Sequence, residues 1–247
     1  MKAVYTLPSL ETVYAARFVY EGLKNAFIDL GHKFWAYTSD DNLKDILETY
    51  RPDIFFYSLN SYHLKFINLN LLKKYRKKGL IVFCQIRAWQ HLDSVGGLKY
   101  DKKQVDLIKR GLAGDIFWHW FEQDEPLMEG FTRETGYKFE TIHQAADKII
   151  YYHDYDKNLA CDLAYVGSFL PTKRQFIKKN ILPLKNKYDL IIYGSDWTFW
   201  SRCLGKVQKF GQYFNIDFLK RMRKINLPLE DERKLYSSAK ICLNVHE

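Results

Sequence analysis

Short runs of almost continuous hydrophobicity alternate with amphipathic segments, and this alternation constrains the fold more than any other feature. From Ala15 to Leu30, apolar residues recur at three- and four-residue spacing and Gly31 follows, as in an amphipathic helix with a C-terminal glycine. Strands without polar alternation, separated by helices, predict a parallel sheet covered on both faces. The sequence therefore predicts the α/β class. The apolar runs of the first half include KAVYTL (2–7), DIFFYSL (53–59) and LIVFCQI (80–86).

The same pattern recurs in the second half. Strand-like runs end in glycine at LACDLAYVGSF (159–169) and YDLIIYGSDW (188–197), and KICLNVHE (240–247) is a third such run. Helices are predicted between them, at 172–187 and 228–239. We therefore predict two Rossmann-like domains, residues 1–157 and 158–247, joined at the polar turn near Tyr155.

Composition and charge limit the class of protein and of partner. Of the 247 residues, 47% are hydrophobic and 27% charged, which is typical of a globular protein. No apolar stretch approaches the roughly 20 residues that span a bilayer, and the N-terminus lacks the apolar core of a secretory signal, so we expect a cytoplasmic protein. The net charge of +9 is explained either by solvated helix faces or by an anionic partner. Such a partner would be an anionic substrate, an anionic membrane surface or nucleic acid. No zinc-finger or RNA-binding signature accompanies it, so nucleic acid is not expected.

The four cysteines predict neither a disulfide nor a zinc site. Cys84, Cys161, Cys203 and Cys242 are far apart in the sequence, and none belongs to a CxxC pair. Three of them, all but Cys203, lie in apolar, strand-like runs. This placement predicts buried free thiols in a reducing cytoplasm.

Asp154 and Asp156 follow the apolar residues IIYY and form a DYD motif. Two carboxylates two residues apart on a turn can supply oxygen ligands to one hard cation. Many sugar-transferring enzymes hold a divalent metal and a nucleotide diphosphate with such a pair. The alternative is a polar turn between two domains, and the two residues by themselves leave both interpretations open.

Strand ends are the expected location of a ligand site, because open parallel sheets bind ligands beyond the carboxyl ends of their strands. A glycine there lets backbone N–H groups approach a phosphate, and an aromatic side chain can stack on a base. A plain turn explains such a glycine equally well, and Trp197 can simply cap the core. The rule selects 167–169, 194–197 and 244–247 in the second half, and 8–12, 58–62, 87–93 and 118–124 in the first.

Three segments in order, DLAYVGSF, YDLIIYGSDW and ERKLYSSAKICLNVHE, resemble the C-terminal domain of GT-B glycosyltransferases, in particular the CgeB/YkvP-like, spore-protein-named branch. GLAGDIFWHWFEQDEP and FTRETGYKFETIHQAAD resemble the N-terminal domain of that branch. The resemblance implies two Rossmann-like domains in GT-B arrangement. It also implies transfer of a sugar from a nucleotide diphosphate sugar to an acceptor hydroxyl, in surface polysaccharide or glycoprotein synthesis, with no cofactor and no metal. On this basis Asp154 and Asp156 are an interdomain turn.

The resemblance also assigns site residues. Arg174 would pair with the diphosphate, although a solvated helix arginine is an equal alternative. On the acceptor side, His91 suits a general base because the unperturbed pKa of histidine is about 6.5, and Asp93 and Glu122 are carboxylate candidates. His119, inside a strand, is more typical of a hydrogen-bonded core histidine. The residues assigned to the donor are Gly167, Ser168, Arg174, Gly194, Trp197, Asn244, His246 and Glu247.

Further expectations concern completeness and partners. In the family, a glutamate-bearing loop and helix follow the strand that matches 240–247, so we expect the second domain to be incomplete. The expected partners are a nucleotide-sugar and a glycan, lipid-linked or protein acceptor, with peripheral contact at the inner membrane face. A non-catalytic nucleotide- or sugar-binding module is the alternative to an enzyme. A basic nucleic-acid-binding protein that uses its aromatic residues for stacking is a third hypothesis.

Overall fold

The chain forms two compact α/β units, Met1–Ala145 and Ala146–Glu247. The computed structural model describes residues 1–7, 15–89, 102–143, 145–223 and 227–245, with the side chains of the first helix described from residue 18 onward. Each unit contains a parallel sheet flanked by helices, which confirms the predicted α/β class. Four predicted site residues, His91, Asp93, His246 and Glu247, lie outside the described residues.

The first unit is a six-stranded parallel sheet with the strand order β2-β1-β3-β4-β5-β6. Its strands are β1 (Lys2–Thr6), β2 (Lys33–Tyr37), β3 (Ile54–Ser58), β4 (Ile81–Gln85), β5 (Ile116–His119) and β6 (Phe139–Thr141). Its helices are α1 (Ala15–Asp29), α2 (Leu43–Tyr50), α3 (Leu69–Arg76), α4 (Lys102–Lys109) and α5 (Phe131–Thr135).

Both faces of this sheet are covered, which explains the strands without polar alternation. Phe55 and Tyr57 of β3 pack into the cluster on one face, and Phe56 between them packs with Tyr5 and Tyr20 on the other. Successive strand side chains point to opposite faces, so an apolar residue is needed at every position of a strand buried on both sides.

The second unit is a three-stranded parallel sheet with the order β8-β7-β9. Its core contains Leu163 and Tyr165 of β7, packed against Ile177 and Ile181 of the segment that follows α6. The strands are β7 (Cys161–Val166), β8 (Leu190–Tyr193) and β9 (Ala239–Leu243), and the helices are α6 (Pro171–Phe176), α7 (Phe199–Phe214), α8 (Asp217–Lys220) and α9 (Leu229–Ser238).

Two predicted helices differ in detail from those observed. The apolar pattern of residues 64–78 predicts one helix, but this stretch is a 3-10 turn followed by α3, which begins after Asn68. The Asn68 side chain accepts a hydrogen bond from the N–H of Leu71. The predicted helix at 172–187 is α6 continued by a π-helical turn, Ile177–Ile181, and a 3-10 turn, Leu182–Asn186. Pro183 lies at the start of the 3-10 turn, where it has no helical hydrogen bond to donate.

The cysteines are free thiols, but they are not all buried. Cys84 and Cys161 are buried as predicted, and Cys203 is half-buried. The prediction was wrong for Cys242, which is exposed because β9 is an edge strand of its sheet. An edge strand has a neighbour on one side only, so its side chains are less covered than those of β7.

Candidate functional site

The carboxyl edge of the three-stranded sheet brings together most of the predicted donor residues. The chain leaves β7 toward β8 on one side and later enters β9 on the other, so the ends of β7 and β9 flank a topological switch point. Gly167 and Ser168 follow β7, Gly194 follows β8 and Asn244 follows β9.

The two glycines at this edge are required by the close approach of their own loops. Gly194 has φ 135°, and a Cβ built on it would lie 2.1 Å from the carbonyl oxygen of Gly167. A Cβ on Gly167 would lie 2.6 Å from the hydroxyl of Tyr165. Both glycines therefore have a structural reason to be there, whether or not a phosphate approaches them.

A pair of serine hydroxyls joins the same two loops. The Oγ atoms of Ser168 and Ser195 are 2.6 Å apart, and the N–H of Phe169 donates to the carbonyl of Ser195 at 2.8 Å. Two hydroxyls that share one hydrogen bond keep a further donor and further acceptor capacity between them. Such a pair can bind a polar ligand group at this edge.

Trp197 caps the core beside the loops. Its Nε1–H donates to the carbonyl of Gly167 at 2.9 Å, and its indole stacks on Phe169 with centroids 4.7 Å apart and planes 22° apart. The indole N–H is the single polar group of this side chain, and the protein satisfies it. These contacts match the core-capping alternative left open by the sequence.

Arg174 lies over the same aromatic residue. Its Nη2 donates to the carbonyl of Phe169 at 3.3 Å, and its guanidinium carbon is 5.1 Å from the ring centroid. Its Nε is buried and has no hydrogen-bond partner in the described part of the chain. The side chain is half-buried rather than fully solvated. Because a guanidinium is always protonated, it places a positive charge at the edge of the sheet.

An ion pair lies behind the β8 loop; its aspartate belongs to the selected segment 194–197, but its arginine was missed by the sequence analysis. Asp196 has φ 67°, and its carboxylate accepts from Nη2 of Arg223 at 2.9 Å. Its carbonyl accepts from Arg202 at 3.1 Å. Arg223 is buried against Gly205, where a Cβ would lie 2.9 Å from its Nη1. The sequence held no local signal for a pair of side chains so far apart in the chain.

On the acceptor side, one predicted residue can be described. The carboxylate of Glu122 is exposed and lies 3.2 Å from Nε2 of His143. His119 is buried, and its Nδ1 accepts from the N–H of Phe121 at 2.9 Å. Burial lowers the pKa of His119 to about 4, which favours the neutral core histidine that the sequence indicated.

His63 is a buried histidine that the sequence analysis did not select. The N–H of Ser58, at the end of β3, donates to its Nδ1 at 3.3 Å, and the Ser58 hydroxyl donates to Gln85 at the end of β4. Burial, with a smaller contribution from the positive charge of Arg87, lowers the pKa of His63 to about 4. These polar groups lie at the carboxyl ends of β3 and β4. The segment 58–62, which contains Ser58, is one of the strand ends at which the sequence predicts a ligand site.

Asp154 and Asp156 are held by the last helix of the second unit. The guanidinium of Arg233 donates twice to the Asp154 carboxylate, and the backbone N–H groups of Asp154 and Asp156 donate to the hydroxyls of Ser237 and Ser238. The Asp156 carboxylate accepts from the N–H of residue 158. Among the described residues there is no group of three or more His, Cys, Asp or Glu side chains placed to hold a metal ion.

The chain matches no family model and no curated protein. The likeness to GT-B enzymes therefore stays a prediction from the sequence. Across the described ranges, no helix is both long and apolar enough to cross a membrane.

Proposed function

We propose that the chain is a glycosyltransferase of GT-B arrangement, with the carboxyl edge of the three-stranded sheet as its nucleotide-sugar site. The observation that supports the proposal is the junction of the β7 and β8 loops through the hydroxyls of Ser168 and Ser195, 2.6 Å apart, beside a topological switch point. This is where open parallel sheets bind nucleotides, and here it carries hydroxyl donors and an arginine.

In this proposal the donor phosphates lie at the Gly167–Ser168 and Gly194 turns. Arg174 can bind them, because its buried Nε lacks a partner in the described part of the chain and its Nη2 bond to a carbonyl is long at 3.3 Å. A guanidinium that exchanges a carbonyl for a phosphate gains a charge-assisted bond. Asn244, with the neighbouring His246 and Glu247, would lie on the sugar or ribose side.

The proposed reaction transfers the sugar without a metal or other cofactor. The bond from the anomeric carbon to the phosphate oxygen breaks, and a bond from that carbon to the acceptor oxygen forms. The acceptor proton goes to a base, for which His91 is proposed, with Asp93 and Glu122 as the carboxylate candidates. The negative charge that develops on the departing diphosphate is stabilised by Arg174 and the two serine hydroxyls. The acceptor is a glycan, a lipid-linked sugar or a protein.

A thermal-shift screen with UDP, GDP, ADP, CMP and dTDP, with and without Mg²⁺ or Mn²⁺, tests the site. We expect one nucleotide to raise the melting temperature without a metal, and Arg174→Gln to weaken its binding about tenfold or more. Lys178→Gln, which removes an exposed cation of the same unit, is the matched control and leaves binding unchanged. A shift that requires Mn²⁺ would contradict the proposed metal-free site.

Binding alone does not distinguish an enzyme from a nucleotide-binding module. The second measurement is therefore release of free nucleotide from the corresponding nucleotide-sugar, with and without simple glycan acceptors. Turnover that stops in Arg174→Gln supports the transferase. Tight binding with no turnover for any donor or acceptor would assign the chain to the non-catalytic alternative.

A further inference from the structure

The helix α7 is amphipathic with its aromatic side facing outward. Its buried residues are Gly205, Gln208, Gly211 and Gln212. Phe199, Cys203, Lys206, Phe210 and Phe214 recur at spacings of three and four residues and so share one side of the helix, with Tyr213 beside them. The 16 residues of α7 extend over about 24 Å, so this stripe is long as well as apolar.

The close packing on the inner side explains why the aromatic residues are outside. A Cβ on Gly211 would lie 2.6 Å from the Cβ of Leu219, and the side-chain amide of Gln208 donates to the carbonyl of Lys220 at 2.9 Å. At Gly211 the inner face of α7 therefore admits α8 at backbone distance. Glycine and glutamine residues face inward, whereas Phe199, Phe210 and Phe214 are exposed.

Further exposed apolar side chains occur on α7 and on the segment that follows it. Trp200 and Phe218 are each 74% exposed, and Phe199 is 65% exposed. We define the aromatic surface as the exposed large apolar side chains of this region, which are Phe199, Trp200, Phe210, Tyr213, Phe214, Ile216, Phe218 and Met222. Ring contacts join Phe199 to Trp200 and Phe210 to Phe214 within it, and such a concentration of exposed apolar side chains is typical of an interaction site.

The charged residues of the segment that carries the aromatic surface are almost all positive. Residues 198–223 contain six Lys and Arg and a single acid, Asp217, whose carboxylate is already paired with Lys220 at 2.9 Å. Lys206 and Lys209 of α7 and Arg221 after α8 are exposed. A cationic helix that presents aromatic residues to solvent is typical of segments that lie in the plane of a membrane interface.

We propose that the aromatic surface binds the surface of a bilayer that contains anionic phospholipids. Phe and Trp side chains enter the interface between headgroups and acyl chains, and Lys206, Lys209 and Arg221 contact the anionic headgroups. A second copy of the chain fits less well. Two such stripes face to face would place Lys206 and Lys209 of both copies together, with no acid of this segment available to pair them. The inference is independent of the proposed glycosyltransferase activity.

Flotation with vesicles tests the inference on the whole chain. The vesicles contain either phosphatidylcholine alone or phosphatidylcholine mixed with phosphatidylglycerol. We expect the chain to float with the mixed vesicles, and its binding to fall as salt is raised, because the headgroup charges are screened. Absence of binding to the mixed vesicles, or equal binding to both kinds, would overturn the proposal.

Matched variants identify the surface responsible. Phe214→Glu, at a side chain that is 56% exposed, should lower vesicle binding about tenfold or more. Phe176→Glu, at a side chain that is 50% exposed on α6, should leave it unchanged. The double variant K206E/K209E should lose more than tenfold, at about fivefold for each lysine, whereas K178E/K179E at exposed lysines of the same unit should lose far less.

Two controls make the outcome decisive. Thermal melting shows whether each of the four variants is folded, which we expect because all six substituted positions are exposed. Sedimentation velocity without lipid shows whether the wild-type chain self-associates. A dimer that Phe214→Glu converts to monomer, together with no vesicle binding, would assign the aromatic surface to contact between copies and overturn the membrane proposal. Equal losses in Phe214→Glu and Phe176→Glu would also overturn it.

Discussion

Arg233 donates from both Nε, at 3.0 Å, and Nη2, at 2.7 Å, to one carboxylate oxygen of Asp154. The same guanidinium lies 4.1 Å from the ring centroid of Tyr152. These contacts hold the segment before β7 against α9. The carboxylate that the DYD motif offered as a metal ligand is thus part of a half-buried ion pair.

We expect Asp154→Ala to lower the melting temperature by several degrees, because it leaves the Arg233 guanidinium, whose side chain is mostly covered, without its partner. Glu230→Ala removes the more exposed partner of an i,i+4 pair on the same helix and should change it by less than about one degree. Differential scanning calorimetry measures both. A wild-type chain that Mn²⁺ stabilises, and an Asp154→Ala variant that it does not, would show instead that the aspartate binds metal.

Gly194→Ala should be severely destabilising. The φ of 135° strains any L side chain, and the new Cβ would collide with the backbone of Gly167, so we expect a loss of about 3 kcal/mol or more in the free energy of unfolding. Gly136→Ala is the matched control, since Gly136 has φ 80° but open space around it and should lose about 1 kcal/mol. Urea unfolding followed by circular dichroism compares the two. Similar losses would mean that the β7 and β8 loops can separate at little cost.

His63 should make the first unit acid-sensitive. Burial lowers its folded-state pKa to about 4 from an unfolded value of 6.5. As the pH falls below 6.5, the unfolded chain takes up a proton that folded His63 does not, so the free energy of unfolding falls, by up to about 3 kcal/mol near pH 4. His63→Gln should flatten this part of the pH profile, although His119 still contributes. A profile that is unchanged in His63→Gln would contradict this assignment.

Glu232 should make the protein less stable as the pH rises, which is the opposite of the effect of His63. It is buried on α9, and burial raises the pKa of its carboxyl above 4.5 despite hydrogen bonds with Tyr236 and Tyr151. Between 4.5 and the raised pKa, the folded chain holds a proton that the unfolded chain has released, so stability falls as the pH rises through this window. Melting temperatures across this window should show a shallower fall in Glu232→Gln. An equally steep fall in Glu232→Gln and in the wild-type chain would contradict the assignment.

The sequence predicted the strands well because burial on both faces leaves a direct signature. Three large aromatic residues stand in succession at Phe55, Phe56 and Tyr57. Such a run indicates a central strand of a parallel sheet, because both faces of that strand are covered. The order of the strands, by contrast, depends on which side of the existing sheet each crossover helix places the next strand. No short stretch of sequence encodes this choice.

Helix α7 was not predicted, and the reason is physical. Phe199, Phe210 and Phe214 do recur at helical spacing, but α7 also contains two interior glycines, Gly205 and Gly211. Glycine inside a segment counts against a helix, so no element was predicted for residues 198–227. The residues that α7 and α8 bring to the edge of the second sheet, Arg202 and Arg223, were missed with it.

The candidate site was predicted in part. Strand-end glycines identified the β7 and β8 loops, because a backbone that turns sharply after a strand needs them. The same logic could not tell that Gly194 lies against Gly167, or that Trp197 donates its N–H to that residue, since both contacts arise from the pairing of strands distant in sequence.

The position of β7 sets the order in which the second unit can be assembled during synthesis. It is the central strand of its sheet, yet it leaves the ribosome before both of its neighbours. β8 can pair with it early, but β9 is made after α7, α8 and α9, so the ladder that joins Cys161 to Ala239 forms last. The first unit has been synthesised before β9, so it can fold while β7 is not yet paired with β9.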